Sequence, residues 1–465
     1  MDHALRCEGL AAAKLVFFNQ DEVIPGFGED VAKPQSSNPA AEDDDVKVHS
    51  PAADTRHDRT MLSRLHPTSL PYRDWVRNLG TVLRASNWTR RWPRYNSVPA
   101  STIHAMKADL PHSEGRGETA GSPILIVPYM WIGDFVRCHT VVTLLHRLYP
   151  ARPVDMLATT LCAPLADYMP GVRRTIVCDL PRSRLSLLQQ RALAARLKRE
   201  GYGTALVMPR TWKAALAPFL AGIPQRTGFL GEARFLVLND VRLGERKLPR
   251  MVDRCAMLAL PRGASLPQSW PLPELAVPAA ASAAWRRSRG LNGDARPVVA
   301  LAPGAVGPSK RWPASAYAAL AQRLLADGAA VWVLGGPAEK ALAAEIVGDT
   351  GARDLTSLDL RDAIFALASA TAVISNDSGL LHVAAALGTP TIGIFGPTSP
   401  WHWAPLNPLA AVLETRSALE CRPCHKPVCR LGHHRCMREI GVDEVLAAAM
   451  SALASAASAR PQARA

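Results

Sequence analysis

The run "SNDSGLLHVAAALGTPTIGIFGPTSP", residues 375–400, sets a carboxylate, a hydroxyl, a glycine and a histidine between two apolar segments of strand character. Upstream, "TAVISN" (371–376) has the length and branched content of a buried strand. "TPTIGIFG" (389–396) restores that pattern after "SGLLHVAAALG", whose apolar spacing suits a helix. Strand, helix and strand in that order make a βαβ unit of a parallel sheet. Residues 376–379 therefore stand where a strand ends and a helix begins. Unpaired backbone N–H groups and the positive end of the helix dipole favour an anion there, and Gly379 lets a phosphate reach the backbone. The same residues admit a plainer use, with Asp377 or Ser378 as an N-cap contributing about 1 kcal/mol.

The alternation extends in both directions. "PVVALAPG" (297–304) and "AAVWVLGG" (329–336) read as further strands of the same sheet. "PILIVPY" (123–129), "VDMLATT" (154–160), "RTIVCDL" (174–180) and "TALVMPR" (204–210) define an earlier one, with amphipathic helical stretches between them. The expected fold is α/β, with two Rossmann-like parallel sheets whose carboxyl ends face a central cleft, where open α/β sheets bind ligands. The expected domains are residues 121–268, a Pro/Ala/Ser-rich linker at 269–296, residues 297–440, and a closing helix and tail at 441–465. Residues 1–120, with the acidic run "EDDDV" and no sustained period, read as a disordered extension, and Met106 is an alternative start.

Chemistry gathers at the strand ends. "APGAVGPSKRWP" places Gly304, Ser309 and Lys310 after the first strand of the second sheet, on the same rim as the 376–379 turn. One loop would supply a helix amino end and the other a lysine, a combination suited to a diphosphate. Glu339, in "LGGPAEK", is a candidate for ribose or base contacts. The spacing is not that of a Walker A loop, and no GxGxxG stands at a strand end.

With 465 residues, 48% apolar content and a formal net charge of +14, the chain can bury two cores and favours anionic partners. It has no uninterrupted apolar run of membrane-spanning length, and its first residues lack a signal peptide's apolar core and cleavage site, so the expectation is a cytoplasmic protein. Five of the nine cysteines are scattered and read as reduced thiols. The other four, Cys421, Cys424, Cys429 and Cys436, are spaced C-x2-C-x4-C-x6-C. That spacing fits a structural zinc or iron–sulfur site, or thiols that hold a loop. A basic nucleic-acid-binding protein with a cysteine-rich finger is the competing class, but it leaves the strand-end clusters unexplained.

Four segments in this order, "WIGDFV", "AGIPQRTGFLGEARFLVLNDVR", "PGAVGPSKRWP" and "SNDSGLLHVAAALGTPTIGIFGPTSP", resemble the lipopolysaccharide heptosyltransferases of the ADP-heptose glycosyltransferase family, the heptosyltransferase II group most closely. The resemblance covers residues 121 to about 455. It implies a GT-B fold and an inverting, metal-independent transfer of L-glycero-D-manno-heptose from ADP-heptose to the first heptose of the lipopolysaccharide inner core. It further implies no required cofactor, no nucleic-acid partner, and a site of action peripheral to the inner membrane of a Gram-negative bacterium. Asp134, beside Gly133 on the acceptor side, matches the family's base. Lys310 would stabilise the leaving ADP, Ser378 and Gly379 would meet phosphate, Asp377 a sugar hydroxyl, and Thr398 the donor. On the acceptor side Lys213 and Arg226 are cations suited to an anionic core saccharide. His382 ranks low, as a packed helix residue. Arg210 departs from the asparagine expected at that position, which bears on acceptor choice.

Overall fold

The computed structural model describes residues 121–459 apart from 182–184 and 233. The expected extension at 1–120 lies outside the described residues, which all belong to one compact unit. They form two six-stranded sheets, every pairing parallel. The first contains β1 (Ile124–Val127), β2 (Val154–Ala158), β3 (Val172–Val177), β4 (Thr204–Val207), β5 (Gln225–Phe229) and β6 (Asp240–Arg242). The second contains β7 (Val298–Ala302), β8 (Ala330–Gly335), β9 (Arg353–Thr356), β10 (Ala372–Asn376), β11 (Thr391–Phe395) and β12 (Ala410–Glu414).

The sheet orders are β3-β2-β1-β4-β5-β6 and β12-β11-β10-β7-β8-β9, so both lobes repeat one doubly wound topology. Strand order reverses between β1 and β4 and between β7 and β10, and those switch points carry the candidate site. Each core follows from two-sided burial of the central strands. Ile126 aligns with Met156 and Leu206, and Ile374 with Leu301 and Ile392, all buried beneath helices.

The stretch expected as a linker differs from a bare connection. It contains the helix Ala279–Ser288, whose Trp285 is buried edge-on against Trp332 and donates its ring N–H to Asp362 at 2.7 Å. The alanines and serines that read as linker composition are also good helix formers, and one tryptophan is enough to dock them. Just upstream, Leu275 N–H donates to the Ala386 carbonyl at 2.8 Å and Ala276 N–H to the Tyr168 carbonyl at 2.7 Å, so the connection touches both lobes. The helix Val442–Ala459 closes the chain against the helix Ala314–Ala326 and the second sheet. No helix among the described residues is long and apolar enough to cross a membrane.

Candidate active site

Asn376 ends β10 and explains why two loops lie side by side. Its side chain donates to the Pro303 carbonyl at 2.6 Å and accepts from the Trp312 N–H at 3.1 Å and the Tyr317 hydroxyl at 3.2 Å. The loop after β7 is thereby tied to the turn after β10, and Lys310 comes over Asp377 with Nζ 2.9 Å from Oδ2. Thr398, from the loop after β11, donates to the same oxygen at 2.8 Å. Burial pushes the Asp377 carboxyl up, but the Lys310 ammonium in contact with it prevails and holds it below the usual carboxylate range. Ser378 is the N-cap residue of the helix Gly379–Ala386, yet its hydroxyl lies 3.0 Å from that of Ser375 rather than capping the helix. The plain N-cap reading of this turn therefore does not account for its side chains.

From the other lobe, β1 delivers the helix Ile132–Arg137, with Asp134 in its first turn. The two helix amino ends meet closely. A Cβ on Gly133 would lie 2.5 Å from the His382 ring, and one on Gly379 would lie 2.8 Å from Ile132. Both glycines thus serve the approach of the lobes, where Gly133 was expected against acceptor and Gly379 against phosphate.

Arg137, buried, links the halves of the site. It pairs with Asp134 at 2.8 Å, reaches His382 Nε2 at 2.7 Å and donates to the Trp403 carbonyl at 2.9 Å. An arginine donor requires a lone pair on Nε2, so the His382 ring is neutral. Burial and the adjacent Arg137 charge lower its pKa to about 4. His382 Nε2 is 3.9 Å from Asp377 Oδ1, beyond hydrogen-bond range. Asp134 is the opposite case to Asp377. Burial raises its pKa, Arg137 opposes that rise, and the nearby Asp377 charge adds to it. The result is a half-buried carboxyl of raised pKa on one lobe, facing a lysine–aspartate–threonine set on the other.

Other expected residues are placed differently. Glu339 accepts from the Gly336 N–H at 2.9 Å, which closes the loop after β8, and packs on Gly304 of the loop after β7, where a Cβ would lie 2.8 Å from its side chain. Ser309 is buried and donates to the Lys426 carbonyl at 2.5 Å. Arg226 is the second residue of β5, near the end of the strand away from the cleft, and donates to the Val237 carbonyl at 2.8 Å and to that of Ile223. Its charge serves the sheet edge because a strand's amino end cannot reach a rim built from carboxyl ends. Lys213 is half-buried in the helix Trp212–Leu220, which follows β4. Arg210, on the same rim, pairs with the buried Glu245 at 2.9 Å.

The four clustered cysteines are free thiols, three in one loop and Cys436 buried in the following helix Arg435–Arg438, and among the described residues no three Cys, His, Asp or Glu side chains converge to hold a metal ion. The loop braces the rim that carries Lys310 and Thr398. Cys424 and His425 N–H groups donate to the Pro397 carbonyl at 3.0 and 2.9 Å, Arg422 donates to the Gly396 carbonyl at 2.5 Å, and Ser309 N–H donates to the Pro427 carbonyl at 3.1 Å. It thus touches the loops carrying both Lys310 and Thr398. Sequence reasoning missed Arg137 and demoted His382. The signal available for Arg137 was its i, i+3 spacing from Asp134, which puts both on one helix face.

Two facing doubly wound lobes, with a carboxyl of raised pKa on one and a lysine–aspartate–threonine set at strand ends on the other, have the GT-B arrangement of many glycosyltransferases. Residues 190–434 match the family model for glycosyltransferase family 9 (heptosyltransferase). Lipopolysaccharide heptosyltransferase 2 of Escherichia coli (strain K12) is 34% identical over 337 residues, covering 70% of this chain and 96% of the relative. Lipooligosaccharide heptosyltransferase 2 of Haemophilus influenzae is 35% identical over 305 residues, covering 62% and 88%. Among solved structures, the E. coli ADP-heptose lps heptosyltransferase II is 32% identical with a TM-score of 0.64, covering 72% of this chain and 99% of that one. E. coli heptosyltransferase WaaC with ADP, at 20% identity and a TM-score of 0.55, shares the fold over 71% and 99%. The chain belongs to glycosyltransferase family 9, the heptosyltransferases.

Proposed function

We propose that the chain moves L-glycero-D-manno-heptose from ADP-heptose to the first heptose of the lipopolysaccharide inner core, with inversion and without a catalytic metal or other cofactor. The supporting observation is the placement of Asp134 across the cleft from Lys310, Asp377 and Thr398. Inverting displacement needs a base on the acceptor side and positive charge where the leaving group departs. Asp134, held by Arg137, takes the acceptor hydroxyl's proton. Lys310 shares its charge between Asp377 and the departing diphosphate, and the amino end of the helix Gly379–Ala386 adds to it. The names of the similar proteins, which include ADP-heptose and lipopolysaccharide, support this donor and acceptor. Work on such an acceptor would place the protein at the cytoplasmic face of a Gram-negative inner membrane, with no nucleic-acid partner. Arg210 favours a second reading, transfer to another core position.

The test is incubation with ADP-heptose and defined truncated cores, followed by mass spectrometry. Extension of a core bearing one heptose is expected. Extension only of a heptose-free core would favour another core position, and no extension of any core would overturn the reaction. The anomeric configuration of the product by NMR checks inversion, and full turnover in EDTA checks metal independence.

A further inference from the structure

Arg137 divides its guanidinium between the lobes. Nη1 donates to Asp134 Oδ1 at 2.8 Å, whereas Nη2 reaches His382 Nε2 at 2.7 Å and the Trp403 carbonyl at 2.9 Å, both beyond the cleft. A guanidinium beside a carboxylate three residues back on one helix face tends to close a two-pronged fork on both carboxylate oxygens. Here the two hydrogens of Nη2 are drawn to the other lobe, so Arg137 engages Oδ1 and leaves Oδ2 to receive a proton.

His382 is held where it can do this. Its ring lies on Gly133, where a Cβ would come within 2.5 Å of it, and the neighbouring Ile132 meets Gly379 as closely, at 2.8 Å. His382 is buried and the Arg137 side chain is 4% exposed, so water cannot stand in for either partner. The Trp403 ring covers the guanidinium at 5.2 Å. The other groups nearby are few. Asp377 and Lys310 act on both Asp134 and His382. Tyr129 is pushed up by burial, and Cys255 by its bond to Cys138 and by burial, so both stay protonated beside Asp134. On the far side of Arg137 stand His402, lowered by burial, and Arg250, which is paired with Asp253 at 2.7 Å.

We propose that His382 is a positioning residue for Asp134, acting across the cleft by holding one prong of Arg137 away from Oδ2. The base on one lobe then depends on a neutral ring of the other, and its use in turnover rests on the reading of Asp134 as the base. Without that ring lone pair, Arg137 would complete the fork, and Asp134 would be a weaker base with both oxygens engaged.

The test uses the full chain labelled at the aspartate side-chain carboxyl carbon, with the Asp134 resonance identified as the one lost in Asp134→Asn. NMR titration needs neither donor nor acceptor. His382→Leu should move the Asp134 titration down by about one pH unit, and Arg137→Met should move it up by about one to three. His382→Gln, whose amide oxygen can accept from Arg137, should titrate as the parent does. The acid limb of kcat/KM should follow the carboxyl in each variant, a response that loss of packing alone would not give. The proposal is overturned if His382→Leu or Arg137→Met leaves the Asp134 titration unmoved, or if His382→Gln shifts it as far as His382→Leu. A carboxyl that moves while the acid limb stays in place upholds the linkage and strikes only at Asp134 as the base.

Discussion

On the C-terminal rim the expected donor residues already hold one another: Lys310 and Thr398 meet on Asp377, Glu339 closes its own loop, and Ser309 is clasped by the cysteine loop. Across the cleft, Asp134 is held by one arginine, with the exposed Trp131 just before its helix. The first rim is built from three strand-end loops and a brace, which fixes charges before a ligand arrives. The second positions a single reactive group and leaves room around it. This asymmetry suits a small, highly charged donor leaving group and a bulky acceptor, because preorganised charge is most effective where charge develops.

Substitutions can break or sharpen this contrast. Asp134→Asn should cut turnover by roughly 10²- to 10⁴-fold, the usual contribution of a general base, with donor affinity by calorimetry retained. Turnover above a few per cent of the parent's would remove Asp134 from that role. Lys310→Ala removes a charged partner contributing about 1.5–3 kcal/mol, so ADP-heptose affinity should fall by roughly 10- to 100-fold while acceptor KM holds. A loss confined to the acceptor would reverse the assignment of the two rims. Ser309→Ala releases the cysteine loop at about 1 kcal/mol and should raise donor KM more than acceptor KM. The smallest effect is expected from Arg226→Ala, with a modest fall in Tm and unchanged acceptor KM. A raised acceptor KM there would restore the role its charge suggested in the sequence.

Legibility followed the same divide. The C-terminal motifs were readable because Asp377, Ser378 and Lys310 stand within a few residues of apolar strands, where local order dictates position. Four strands went unread, β5, β6, β9 and β12. They occupy outer places in their sheets, and β9, "RDLT", is half exposed and carries two charged residues. Edge strands need only one apolar face, so the pattern that betrays a central strand is missing. Arg226 and Lys213 drew attention as cations, but charge alone does not say which end of a strand or helix faces the cleft. The Arg137–His382 contact spans 245 residues, and no local pattern announces it.

The pH dependence of kcat/KM tests the central claim most directly, because it reports groups of the free protein. Asp134 must be ionised to act, and burial places its pKa above the ordinary 3.8, so activity is lost as pH falls through that raised value. Asp377, held well below the usual range, stays ionised meanwhile, and the Lys310 contact it stabilises persists until pH falls further. His382 is neutral above about 4. The expected result is one acid limb above 3.8 that His382→Gln leaves in place. A flat profile across the acid range, or a limb that vanishes with His382→Gln, would contradict Asp134 as the base.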